Sequence, residues 1–187
     1  MNHLKRDIII GILFVLITGT LSHFLYDWTG QNPVIGLFTP VNESIWEHMK
    51  LLFFPMLFYA LILVSRHKEN YPCIPSALCL GILAGTILIP VFYYSYKALL
   101  GRDIFILDIA AFIVSVILSF RLSYKLTLSC RLNPLLPLLC LLMGVFLTCF
   151  ILFTYHPPDL TIFEDPLSTD DSESPQIREH KQPQFKH

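Results

Sequence analysis

Charge is scarce in this sequence. Asp, Glu, Lys and Arg make up only 14% of its 187 residues against 54% apolar residues, and the mean hydropathy of +0.60 is too high for an ordinary water-soluble fold. The net charge of -1 comes with no concentrated basic stripe, so there is no footing for a nucleic-acid partner. No CxxC pair occurs among Cys73, Cys79, Cys130, Cys140 and Cys149, all in or beside apolar runs. They read as small core residues or cytoplasmic thiols rather than as a disulfide framework. Strict two-residue alternation is missing, which removes barrel strands. No small-x-small cleavage site follows the first apolar run, so that run reads as a retained helix rather than a signal peptide.

What is present is a series of apolar runs of about 20 residues, the length that crosses a hydrocarbon core of about 30 Å. Lipid cannot satisfy backbone N–H and C=O groups, so such runs must be helical. The expected fold is therefore all-α, a polytopic membrane bundle of five spans near 8–26, 40–65, 73–96, 104–120 and 135–155. Residues 1–166 form the membrane domain. The polar remainder, 167–187, is expected to be a disordered tail, because it has too little apolar surface to offset ordering entropy.

Lys and Arg set the orientation. One set of connections holds Lys5, Arg6, Arg66, Lys68, Arg121, Lys125 and Arg131, and the other only Lys50, Lys97 and Arg102. That excess places the N-terminus in the cytoplasm and the C-terminus outside. Antiparallel spans then gather His23, Asp27, Glu43, Glu47, His48, Asp108, His156 and Asp159 in one outer layer. Neutral imidazole with carboxylate suits a divalent metal such as zinc. His23, His48 and His156 are the candidate metal ligands, with Glu47, Asp108 and Asp27 as candidate catalytic or supporting carboxylates.

Each has a plainer role as well. Ser44 and Glu47 have capping-box spacing at the start of the second span, and acids in a first helical turn interact favourably with the helix dipole. Asp108, about one turn inside the fourth span, should face the bundle and pair with His or Lys, or be protonated. The segment from Tyr155 to Pro166 is expected to fold back as a lid, with Phe163 docking and His156 and Asp159 pointing inward.

The segments HFLYDW (His23 to Trp28), PVNESIWEHMKL (Pro40 to Leu51) and HPPDLTIFEDP (His156 to Pro166) resemble an uncharacterised family of bacterial multi-pass membrane proteins, a domain of unknown function. The resemblance implies a bacterial plasma membrane, the same small helical bundle and no transferable activity; membrane lipids are the expected partners of so apolar a chain. A more distant similarity is to ceramidases and related receptors, whose closing HxxxH is replaced here by HPPD. Three functions stay open: a metal-dependent membrane hydrolase at the outer leaflet, a small ion-coupled transporter that would need a homodimer, and a non-catalytic component of a membrane complex.

Overall fold

The computed structural model describes residues 3–165. The expected tail, 167–187, lies outside the described residues. All regular structure among the described residues is helical: α1 His3–Trp28, the single turn α2 Pro33–Gly36, α3 Ile45–His67, α4 Ile74–Leu100, α5 Phe105–Ser129 and α6 Leu136–Phe153. Five of these helices are long and apolar enough to cross a membrane. Each is predominantly apolar, as a solvent that cannot compete for backbone hydrogen bonds requires.

The start of α3 is fixed twice. Asn42 Oδ1 accepts the Ser44 N–H at 3.0 Å, and Ser44 Oγ accepts the Glu47 N–H at 3.4 Å. The expected capping box is only half closed, because Asn42 already occupies the backbone donor that the Glu47 carboxylate would otherwise reach. Pro55 and Pro90 lie inside the continuous helices α3 and α4. At the end of α4, Gly101 adopts the left-handed conformation (φ 71°) and returns its N–H to Lys97.

Helix α4 packs against α3, α5 and α6, while α1 packs against α3 and α5. Phe53, Phe120, Phe150, Leu52, Met56 and Leu63 are fully buried at the centre. Leu13, Ile17, Ile106 and Leu141 point outward as a lipid-facing surface. The α4–α5 approach is set by small residues: a Cβ at Gly81 would collide with Ser123, and one at Gly85 with Ser119. Helix α5 runs to Ser129, well beyond the expected end near residue 120, because Ser123 and Thr127 continue its buried face while Arg121 and Lys125 turn outward.

The bundle has two polar ends. At one, Asp7 is buried and meets His67 Nε2 at 3.0 Å, Arg6 Nε at 3.1 Å and Arg66 Nη1 at 3.6 Å. Tyr59 donates to the Asp7 carbonyl at 2.7 Å, so this end ties α1 to α3. Here Cys73 and Cys130 lie sulfur to sulfur as a disulfide pair, so neither is the isolated thiol that residue spacing suggests. Antiparallel folding brings the start of α4 beside the end of α5, with the two Cα atoms 5.2 Å apart. The other end carries the remaining chemistry.

Candidate functional site

At this second end, the end of α1 and the starts of α3 and α5 share one depth, and a loop between α2 and α3 lies across them. His23 sits near the end of α1, His48 one turn into α3, and Glu43 on the loop immediately before the α3 cap. Their side chains converge. His23 Nε2 and His48 Nε2 are 3.3 Å apart, and Glu43 Oε2 is 3.5 Å from the first and 3.4 Å from the second. This trio is a group whose geometry could hold a metal ion. His48 Nδ1 lies 2.9 Å from the Ser44 carbonyl, a contact that orients the ring so that Nε2 faces the cluster, where it donates to Glu43 when the ring is protonated and offers a lone pair when the proton sits on Nδ1 alone. Hydrogen bonds from His23 and then His48 outweigh partial burial and hold the Glu43 carboxyl well below the usual carboxylate range.

The other candidates occupy different surroundings. His156 is exposed after α6 and outside the trio, as are Asp159 and Asp27. Glu47 is buried and committed elsewhere: its Oε2 meets Lys50 Nζ at 2.7 Å and accepts the Val41 N–H at 3.0 Å. Asp108 pairs with neither His nor Lys through a direct contact; it accepts a short hydrogen bond from the Tyr96 hydroxyl. Asp108 and His48 do line one small crevice, walled by Ile45, Leu51, Ile89 and Phe112. Phe163 docks as expected, with its ring 4.8 Å from that of Trp46 and 5.6 Å from that of Phe153. The closing segment is thus pinned by Phe163, and by the Tyr155 hydroxyl on the Pro33 carbonyl, while His156 and Asp159 stay outside.

Glu43, rather than His156, completes the cluster with the two histidines. Its signal in the sequence was weak, since an acid just ahead of a helix is adequately explained by the dipole. Its real placement depends on a loop path that residue spacing does not reveal.

The fold and the cluster define a multi-pass α-helical membrane protein with two imidazoles and a carboxylate converging at one end. The chain belongs to a family of unknown function, DUF6512, whose model matches residues 1–171. It is also similar to Heme A synthase of Ehrlichia ruminantium (strain Gardel), 35% identical over 103 residues, covering 51% of this chain and 30% of that protein. For Heme A synthase of Ehrlichia canis (strain Jake) the identity is 35% over 106 residues, 52% of this chain and 30% of that protein. The match therefore covers less than a third of the length of these relatives. No solved structure matches the chain.

Proposed function

We propose that His23, Glu43 and His48 bind one divalent cation, zinc in the first instance, and that the protein is a membrane hydrolase working at the extracytoplasmic surface of a bacterial plasma membrane. The supporting observation is the shape of the cluster. Its three edges are 3.3, 3.4 and 3.5 Å. Donor atoms about 3.3–3.4 Å apart suit bonds of about 2.0–2.1 Å to one shared tetrahedral cation. Three protein donors leave a fourth corner for water or substrate, the arrangement of catalytic rather than structural zinc. A cation so held supplies a Lewis acid and lowers the pKa of a water it binds.

The chain's own groups then divide the work. Ser44 fixes the His48 ring, Glu43 supplies the negative charge, and Asp108 stands across the crevice as a proton acceptor oriented by Tyr96. The crevice itself has about 30 Å³ of free space, room for a water or two beside Asp108, so a lipid substrate would meet the site at its mouth. Similarity to Heme A synthase raises heme as a second ligand. Two histidines holding one heme iron place their nitrogens on opposite sides, about 4 Å apart for bonds near 2 Å, with no carboxylate between them. The closed triangle favours a bare cation.

Metal analysis of protein purified without chelators tests this directly. One zinc per chain is expected, lost in His23→Ala, Glu43→Ala and His48→Ala and retained in His156→Ala. An absorption band in the heme region would support the second reading instead. Wild type that takes up neither zinc nor cobalt would overturn the metal site. For the reaction, ester and amide lipids in vesicles are the substrates to try. Turnover that survives both metal removal and Asp108→Asn would refute the division of roles.

A further inference from the structure

A membrane helix that buries a lysine completely invites a question about what the charge is for. Lys50 has no exposed side-chain surface and Glu47 only 3%. Their union is expensive: removing two charges from water costs several kcal/mol per ion after relaxation, and apolar replacements of similar volume are often neutral or stabilising. Stability is therefore a poor reason for the pair. Placing a segment of backbone is a better one, and the contacts show which segment.

The three protons of an ammonium group have four oxygen neighbours here. Lys50 Nζ lies 2.7 Å from Glu47 Oε2, 2.8 Å from Thr154 Oγ1, 3.1 Å from the Gly36 carbonyl and 3.5 Å from the Thr39 carbonyl. One side chain thus gathers α3, the end of α6 and two points on the loop leading to Glu43. Glu47 adds a third point by accepting the Val41 N–H at 3.0 Å, two residues before Glu43. The turn of α2 carries on as far as Thr39, where the Phe38 and Thr39 N–H groups both return to the Ile35 carbonyl, but from Pro40 to the Ser44 cap the loop has no ladder of its own. Its course is set by these contacts, by Asn42 on Ser44, and by packing at Gly36, where a Cβ would collide with Tyr155, Val41 and Tyr26.

We infer that Glu47 and Lys50 are positioning residues: as a buried pair they hold the loop so that the Glu43 carboxylate meets His23 and His48, and neither touches the cation. This rests on the cation site proposed above. It also explains why two acids four residues apart have opposite settings. Glu43 is 41% exposed on its side chain and turned to the histidines, while Glu47, on α3, is sealed beneath the loop that carries Glu43.

Cobalt(II) binding to the purified full chain is the test, because visible bands report both affinity and coordination geometry. Lys50→Met withdraws the loop's anchor at Gly36 and Thr39 and should weaken cobalt binding by about 10–100-fold, the usual effect of losing a group that orients a ligand. Its cobalt spectrum should move away from the tetrahedral form. Glu47→Gln keeps an oxygen for the Val41 N–H and should lie between wild type and Lys50→Met. Tyr59→Phe loses a hydrogen bond at the opposite end of the bundle and should lower the melting temperature with cobalt affinity and spectrum unchanged.

If Lys50→Met does not fold, Glu47→Gln/Lys50→Met, which leaves no buried charge, takes its place with the same expectation. Wild-type affinity and spectrum in the folded Lys50 variant, or an equal loss in Tyr59→Phe, would overturn the positioning role alone. Wild type that binds no cobalt would overturn the cation site and this inference with it.

Discussion

Glu43 shows how much a single residue's surroundings decide. The same carboxyl on a free loop would titrate near 4.3, but here hydrogen bonds from two imidazoles hold it lower. A depressed folded-state pKa contributes stability that is fully present above the unfolded value and is lost as pH falls through the folded one. The difference in melting temperature between metal-free wild type and Glu43→Gln should accordingly persist or grow from neutral pH down to about 5, as the imidazoles take up protons beside the carboxylate, and shrink only below about 4. A difference that already vanishes at pH 6 would mean that the carboxylate has no such partners. Because Glu43 is partly exposed, the shift does not translate into a comparable gain in stability.

At the scale of the helices, the packing of α4 on α5 governs stability. Gly85→Val pushes a branched side chain into Ser119 and should cost about 1–3 kcal/mol, seen as a lower melting temperature in detergent. Gly144→Ala on α6 meets nothing within 4 Å and should leave the melting temperature unchanged or slightly raised, since alanine favours the helix. If the two variants melt alike, the close approach of α4 and α5 is wrong. The spans themselves were legible because bilayer thickness imposes a length and lipid imposes a composition. Their ends were less so: Arg121 and Lys125 look like the end of a span when only charge is counted, yet they sit on the outer face of a helix whose buried side runs on through Ser123 and Thr127. The site was legible to the same degree. Shared depth identified His23 and His48 as neighbours, and the cap at Ser44 fixed where α3 begins. Depth could not distinguish Glu43 from Glu47, since the choice between them is made by the buried Lys50 and the backbone it gathers. Nor could it foresee Cys73 meeting Cys130, which are 57 residues apart in sequence.

For the molecule as a whole, the two ends make opposing claims about the compartments they face. The Lys and Arg excess assigns the end with Asp7, Arg66 and His67 to the cytoplasm, and leaves the histidine–glutamate cluster outside. Yet that same basic end carries the disulfide, and disulfides persist chiefly in oxidising compartments. Charge acts during insertion and is the stronger guide to orientation, whereas a cysteine pair only records the redox poise it later meets. On this ground we propose that the cluster faces outward, which would leave the Cys73–Cys130 link where cellular reductant can open it. Single cysteines at Asp159 and Asn70, both exposed and at opposite ends, test this without changing any Lys or Arg. In a background lacking the native cysteines, Asp159→Cys should react with an impermeant maleimide on intact cells, and Asn70→Cys only after permeabilisation. In the native chain, rapid alkylation of growing cells should then trap Cys73 and Cys130 largely as thiols that become linked on oxidation. The reverse labelling would place the cluster in the cytoplasm and the disulfide in an oxidising space, and any substrate would have to be sought in the inner leaflet.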